Sequence, residues 1–202
     1  MNQTKDRSNP PIEAIVVGAS AGGVEALLRV FGHLRKGFGL PILVVLHLPN
    51  ERDSQLASVL GHRLAVPVEE ARDKQDIAPG TLYVATPGYH LSVEADRCLS
   101  LSLEEPVHHS RPSIDVLFES AADVFGPGLL AILLTGGNQD GAAGLAAVGA
   151  AGGITVVQDP AEAQAPTMIH AALARGPVDH QLRLGAIAGL LRRLRTKGQR
   201  RG

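Results

Sequence analysis

Three residues that could together perform nucleophilic catalysis, Ser20, His47 and Asp140, follow predicted buried strands. A serine hydroxyl is a poor nucleophile until a base removes its proton, and histidine is the usual base. A carboxylate then fixes the imidazole tautomer and stabilises the cation that forms. These residue types predict a serine esterase, with Ser20 as nucleophile, His47 as its base and Asp140 as the residue that orients the base.

The segment around Ser20 runs Gly18-Ala-Ser-Ala-Gly-Gly23 and lies between a predicted strand and a predicted helix. It fits the G-x-S-x-G pattern of a nucleophile on a sharp turn, where free N–H groups of the first helical turn can bind an oxyanion. The same residues could form a phosphate-binding loop, or a plain turn in which Ser20 caps the helix. They also approach the G-x-G-x-x-G pattern of dinucleotide sites. Those sites need an acid at the end of the second strand, and this sequence has His47 there.

His47 and Asp140 each have a purely structural alternative. A histidine between Leu46 and Leu48 could simply bond to the backbone at a strand end. Asp140 lies in a glycine-rich loop and could cap the helix that follows. The serine at the end of the neighbouring strand favours the catalytic interpretation of His47.

Other acidic residues are less suited to orient the histidine. Asp53 and Asp115 are expected at helix starts, whereas Glu69, Glu70 and Asp73 are expected in a polar surface stretch. Asp140 is therefore the preferred partner.

Short apolar runs rich in β-branched residues alternate with segments of helical period, which is typical of βαβ units. Strands are predicted at 14–18, 41–46, 81–85, 128–134 and 154–157, and a hairpin at 90–103 with its turn at 94–97. Helices are predicted at 22–34, 54–64, from Ser113, after Gly144, at 161–175 and at 184–195. The predicted fold is a doubly wound, mainly parallel α/β sheet with flanking helices and a small antiparallel hairpin excursion. The carboxyl ends of its strands should converge on a ligand crevice.

The overall composition excludes several classes of protein. Lys and Arg number 19 against 20 Asp and Glu, so no global field attracts nucleic acid or anionic lipid. A single cysteine, Cys98, rules out an intramolecular disulfide, and the histidines show no metal-ligand spacing. No apolar run is long enough for a signal peptide or a membrane span. We expect a cytoplasmic protein that inserts in no membrane and holds no metal.

Five runs of residues resemble, in one order, the catalytic domain of the CheB methylesterase family, over about 15–194. They are Gly18-Ala-Ser-Ala-Gly-Gly23; His47 with Pro49; Ile77-Ala-Pro-Gly-Thr-Leu-Tyr-Val-Ala85; Arg111-Pro-Ser-Ile-Asp-Val-Leu-Phe118; and Leu134-Thr-Gly136 with Asp140-Gly-Ala-Ala-Gly144.

The resemblance implies a triad in the order Ser20, His47, Asp140, acting without a cofactor on glutamyl methyl esters in the cytoplasmic helices of chemoreceptors. It also implies, more weakly, deamidation of receptor glutamines. Backbone donors for the oxyanion are expected at Ala21, Gly22 and Gly137. Arg111 is expected to bind acidic receptor segments, although a solvated loop is an equal alternative.

Two segments depart from the family pattern. Members usually have Gln-His-Met-Pro and Thr-Gly-Met-Gly, where this chain has Leu46-His-Leu-Pro49 and Thr135-Gly-Gly-Asn138. Gly137 replaces the methionine and Ala21 replaces a threonine, although main-chain donors survive both changes. A non-enzymatic signalling module that keeps the fold and binds a partner is the second hypothesis.

The resemblance covers the catalytic domain and not the phospho-receiver domain that usually precedes it. We expect a disordered segment at 1–11, one domain at 12–195 and a frayed basic tail at 196–202. Activity should then be constitutive or controlled by a separate response-regulator protein.

Overall fold

A computed structural model describes residues 10–47 and 55–194 of the chain. Its main sheet contains β1 (Ala14–Ala19), β2 (Ile42–Leu46), β3 (Val68–Glu70), β4 (Leu82–Val84), β7 (Leu129–Leu133), β8 (Ile154–Gln158) and β9 (His180–Leu182). The strand order is β3-β4-β2-β1-β7-β8-β9, and every pair is parallel. A separate antiparallel pair consists of β5 (His90–Val93) and β6 (Leu99–Ser102).

Within these described ranges, six α-helices flank the sheet: α1 (Gly23–Phe31), α2 (Leu56–Arg63), α3 (Ile114–Phe125), α4 (Ala142–Ala150), α5 (Thr167–Arg175) and α6 (Leu184–Arg193). Helices α1, α2 and α6 bury their apolar side chains on one face of the sheet. Helices α3, α4 and α5, together with the hairpin, cover the other face. Because both faces are covered, β1, β2 and β7 are apolar and buried along their whole length. The predicted doubly wound fold with a hairpin excursion is confirmed.

Two edge strands were not predicted. Glu69 and Glu70, expected in a surface stretch, belong to β3, which pairs with β4. The other strand, β9, pairs with β8. Each has only three residues and is largely polar, since an edge strand covers one side of its neighbour and meets solvent on the other.

Several helix bounds also differ from the prediction. Helix α1 ends at Phe31 rather than at Leu34, and α5 begins at Thr167 rather than at Ala161. The segment before α5 cannot join it, because the Ala165 backbone is bonded to the loop after β7. The predicted helix starts at Asp53 and Ser54 lie outside the described residues.

Candidate active site

Ser20 follows β1 directly, between the ends of β2 and β7. Its N–H donates to the Thr135 carbonyl at 2.9 Å, and the His47 N–H donates to the Ala19 carbonyl at 3.1 Å. Ala19 is paired in register with Leu46, so Ser20 and His47 are the next residues on two adjacent strands. The carboxyl ends of parallel strands thus bring a serine and a histidine side by side.

The turn that carries Ser20 depends on its glycines in two different ways. Gly22 adopts a left-handed conformation with φ 78°, which glycine tolerates without a steric penalty, and it is the N-cap of α1. Gly18 and Gly23 instead permit close packing, because a Cβ at either position would collide with Ile114 or Leu46, respectively. Ser20 itself is not in the left-handed region.

The Ser20 side chain does not cap α1, so that structural alternative is wrong. The cap residue is Gly22, without a side-chain bond, and the Ser20 carbonyl accepts from the Gly23 N–H at 2.8 Å. Among the residues that the structure describes, none hydrogen-bonds the Ser20 hydroxyl. The hydroxyl therefore remains available to a base or a substrate.

Asp140 holds the His47 ring. Asp140 Oδ2 lies 2.9 Å from His47 Nε2. The carboxylate is fully buried, whereas 13% of the His47 side chain is exposed. The contact with Nε2 directs the other ring nitrogen, Nδ1, away from the carboxylate.

The Asp140 carboxylate also sits against the N-terminus of α3. It accepts from the Ser113 hydroxyl at 2.8 Å, the Ile114 N–H at 2.7 Å and the Asp115 N–H at 3.0 Å. The alternative in which Asp140 caps the following helix is wrong, because the N-cap of α4 is Gly141 and receives no side-chain hydrogen bond. Asp140 instead caps the helix that precedes it in the chain.

Burial and hydrogen bonding shift the pKa of the Asp140 carboxyl group in opposite directions. Burial alone would raise the pKa of its carboxyl group. The hydrogen bonds from His47, from the amides of Ile114 and Asp115, and from Ser113 outweigh burial and lower the pKa below 3.8. The group is therefore an anion at neutral pH, the form that can stabilise a protonated histidine.

The pocket at the carboxyl edge of the sheet is open to solvent and has a volume of about 510 Å³. Its lining residues are Ser20, Ala21, Gly22, Gly23, Val24, Glu25, His47, Ser110 and Asn138. Of the predicted site residues, Ser20, His47, Ala21 and Gly22 meet here, with Asp140 directly behind the histidine.

Gly137 and Arg111 do not line this pocket. Gly137 is exposed, and a Cβ there would contact nothing within 4 Å. Arg111 Nη1 donates to the carbonyls of Leu103 and Glu104 at 3.1 and 3.0 Å. Their roles in binding the oxyanion and the substrate stay predictions.

Sequence reasoning missed Glu25, Ser110 and Asn138 as pocket residues. Asn138 did carry a signal, because it replaces a glycine of the family pattern in the loop that leads to Asp140. Ser110 carried none, since it lies far from the strand ends in sequence and is brought to the pocket by a tight turn.

Comparison with known proteins supports the resemblance. A family model described as CheB methylesterase matches residues 15–191. The chain belongs to the CheB methylesterase family. Membership places it among the hydrolases of carboxylic esters and confirms the predicted enzyme class. A nucleotide-binding oxidoreductase and a non-enzymatic module are not favoured.

Individual relatives agree with the family assignment. A putative protein-glutamate methylesterase/protein-glutamine glutaminase of Leptospira interrogans is 43% identical over 182 residues, which cover 90% of this chain and 94% of the relative. A protein-glutamate methylesterase/protein-glutamine glutaminase of Bordetella parapertussis is 38% identical over 191 residues, 92% of this chain but only 54% of the relative. The chain thus spans about half the length of the second protein.

The fold agrees with that of a solved relative. The crystal structure of the Thermotoga maritima CheB methylesterase catalytic domain matches with a TM-score of 0.85 and 28% identity, over 90% of this chain and 98% of that one. The match includes nearly the whole solved domain.

Two further observations concern residues 10–47 and 55–194 only. No group of three or more His, Cys, Asp or Glu side chains in these ranges is arranged to hold a metal ion. None of their helices is both long and apolar enough to cross a membrane.

Proposed function

We propose that this chain is a protein-glutamate methylesterase that works through Ser20, His47 and Asp140. The observation that carries the proposal is the 2.9 Å contact of His47 Nε2 with the buried Asp140 carboxylate, behind a pocket that His47 shares with Ser20. A buried anion that orients an imidazole, and a serine in the same pocket as that imidazole, are what acyl transfer requires.

The orientation of the imidazole assigns a task to each ring nitrogen. Nε2 keeps its proton and donates it to Asp140, so Nδ1 is unprotonated in the neutral ring and accepts the Ser20 proton. In trypsin-like proteases the aspartate holds Nδ1 and Nε2 serves the serine, so the two nitrogens have exchanged roles here. The chemistry is unaffected, because either nitrogen can act as a base.

The reaction has two steps. Ser20 Oγ attacks the glutamyl ester carbonyl as its proton passes to His47; the C–O bond to the methoxy group then breaks, and methanol leaves with that proton. Water attacks the acyl-enzyme and gives its proton to His47. The bond to Ser20 Oγ breaks, and the free glutamate and the serine are restored.

The oxyanion of each tetrahedral intermediate needs hydrogen-bond donors. The N–H groups of Ala21 and Gly22 donate to no other described residue, and they begin the turn that enters α1. They lie at the positive end of that helix, which favours a developing negative charge. We assign them to the oxyanion, with the Gly137 N–H as a third donor.

We propose the methylated helices of chemoreceptors as the substrate, and the cytoplasm, where those helices lie, as the site of action. The Leptospira relative, of which this chain covers 94%, carries the name of both a methylesterase and a glutaminase. Glutamine deamidation uses the same steps with ammonia as the leaving group, so the pocket would support it as a second activity.

The decisive experiment measures methanol release from methylated chemoreceptor membranes by the purified protein. Ser20→Ala and His47→Ala should each reduce turnover by about 10⁴-fold or more. Ser58→Ala and His62→Ala, which remove the same residue types from the exposed face of α2, should leave turnover unchanged. Failure of the folded wild type to release methanol would refute the proposal.

A further inference from the structure

Ser110 and Asn138 form a polar wall of the pocket opposite the turn that carries Ser20. Both residues line the pocket, and Asn138 Nδ2 donates to Ser110 Oγ at 3.4 Å. Neither has a task in the mechanism above. The two side chains therefore contact whatever occupies the pocket without taking part in proton transfer.

The Asn138 carboxamide is held in one orientation. Its Oδ1 accepts from the Asp140 N–H at 3.2 Å. A backbone N–H can only donate, so the atom that faces it must be the carboxamide oxygen. The NH₂ group then faces Ser110 and the pocket, and one of its two hydrogens has no acceptor among the residues that the structure describes.

The Ser110 hydroxyl presents a donor for a related reason. Its oxygen accepts from Asn138, so the hydroxyl hydrogen is left to donate elsewhere. In the described part of the chain that hydrogen has no other acceptor. Both side chains of the wall thus offer a hydrogen to the pocket.

A strained turn keeps Ser110 in place. Val107 and Ser110 exchange two backbone hydrogen bonds, of 3.1 and 2.8 Å, across a two-residue turn. The turn residues His108 and His109 have φ 49° and 62°, a left-handed conformation that is unfavourable for residues other than glycine.

The His108 ring anchors the turn on both sides. It lies 3.2 Å from Gln139 Nε2 and 3.5 Å from Asp115 Oδ2, so the turn is tied to the Asp140 loop and to α3. A turn that is both strained and doubly anchored holds the wall in a defined position.

We propose that Ser110 and Asn138 form a donor-lined wall that makes the pocket favour a glutamyl methyl ester over glutamine. The inference rests on the proposed function and specifies which of its two reactions dominates. The methoxy oxygen of the ester can only accept hydrogen bonds, and it pairs with the unused Asn138 hydrogen. The NH₂ of glutamine donates, so it leaves both donors unpaired, which weakens its binding.

The test compares the two reactions in one protein. Methanol from methylated receptor and ammonia from receptor glutamine are measured for the wild type, Asn138→Asp and Asn138→Ala, and the ratio of the two kcat/KM values is taken. The ratio does not depend on the fraction of folded enzyme. Asn138→Asp keeps the acceptor for the Asp140 N–H and replaces the pocket donor with an acceptor.

Asn138→Asp should lower the ester-to-amide ratio at least about fivefold, and Asn138→Ala should lower it less. Gln181→Glu is the matched control, since it adds the same charge on the exposed edge strand β9, outside the pocket lining. It should leave the ratio within about twofold.

An unchanged ratio in Asn138→Asp, or an equal shift in Gln181→Glu, would overturn the inference while methanol release by the wild type upholds the proposed function. Absence of methanol release from the wild type would defeat the proposed function itself. The two failures are therefore distinguishable.

Discussion

Asp140 binds the first turn of α3, the helix of Asp115, and Asp115 in return binds the first turn of α4, the helix that follows Asp140. Asp140, two residues before α4, accepts from the Ile114 and Asp115 amides of α3. Asp115, in the first turn of α3, accepts from the Gly144 N–H of α4 at 2.7 Å. This exchange locks two helices to the loop that presents Asp140, because each carboxylate satisfies amides that the helix itself leaves unpaired.

Replacing Asp140 with Asn should affect catalysis and stability together. The substitution places an NH₂ donor against groups that also donate, and it removes the charge that supports a protonated His47. We expect methanol turnover to fall by about 10⁴-fold and the free energy of unfolding to fall by about 1.5–3 kcal/mol. Kinetics and urea unfolding of the same preparation measure both.

Two variants separate these effects. Asp123→Asn removes an equal charge from the exposed side of α3 and should change neither quantity. Ser20→Ala should abolish turnover at full stability. An Asp140→Asn protein as stable as the wild type would contradict the capping role.

Asp115 and Asp140 should change the free energy of unfolding in opposite directions as the pH is varied. Burial, together with the charge of Asp140, raises the Asp115 pKa above 3.8, even though the Gly144 amide and His108 oppose the shift. The folded protein disfavours the charged form of Asp115. The contribution of Asp115 to the free energy of unfolding therefore increases as pH falls through its raised pKa. The Asp140 contribution is fully present well above pH 3.8 and is lost progressively as pH falls through its lowered pKa.

Asp115→Asn should therefore flatten the fall of stability that occurs as pH rises above 3.8, while the loss below 3.8 persists. Its amide oxygen can still accept from the Gly144 N–H. Urea unfolding midpoints of the wild type and the variant, measured at a series of pH values on both sides of 3.8, test this prediction. A steeper fall in the variant than in the wild type would mean that the Asp115 charge stabilises the fold.

The close approach of Ile114 to Gly18 should make this position, two residues before the nucleophile, intolerant of a methyl group. Gly18→Ala would push the start of α3 away from β1, because the new Cβ collides with the Ile114 side chain. We expect a loss of about 1–3 kcal/mol of stability from overpacking, and reduced turnover because the Ile114 N–H binds Asp140.

Gly137→Ala is the matched change in open space. A Cβ there meets nothing within 4 Å, so stability should be unaltered. The melting temperatures of Gly18→Ala and Gly137→Ala test the prediction. Equal melting temperatures would show that α3 moves freely to accommodate the new methyl group at position 18.

Thr135 should control the shape of the turn after β1. Its buried hydroxyl donates to the Ala21 carbonyl at 2.8 Å and accepts from the Ala165 N–H at 2.9 Å. Thr135→Val keeps the shape but leaves both partners unpaired, which should cost about 1–3 kcal/mol. Turnover should fall as well, because Ala21 is an assigned oxyanion donor.

Thr135→Ser retains the hydroxyl and serves as the control. We expect it to lose much less stability and turnover than Thr135→Val. Equal losses in the two variants would assign the effect to the methyl group and not to the hydrogen bonds.

The central strands and the candidate triad could be predicted because each produces a strong local pattern. Strands β1, β2 and β7 are buried on both faces and therefore form continuous apolar runs; β1 and β2 end directly before Ser20 and His47, and β7 leads into the glycine-rich loop that carries Asp140. The edge strands β3 and β9 could not be predicted, since a run of three residues, two of them polar, is too short to show a period.

The other differences between the predicted and the observed structure arise from contacts between residues that are distant in sequence. The start of α5 depends on Thr135, whose hydroxyl binds the Ala165 backbone. The Arg111 guanidinium binds backbone carbonyls, which have no signature in the sequence. Ser110 reaches the pocket through a turn of two histidines, residues that are not the usual choice for left-handed conformations.

The position of β1 between β2 and β7 has a consequence for the order in which the protein acquires activity during synthesis. Ser20 and His47 leave the ribosome long before Asp140, and β1 can pair with β2 while its other edge is still open. A nascent chain at that stage carries a serine and a histidine without the buried anion. Hydrolytic competence should appear only once β7 closes beside β1, so that the growing polypeptide is inert toward the esters that it meets before that pairing.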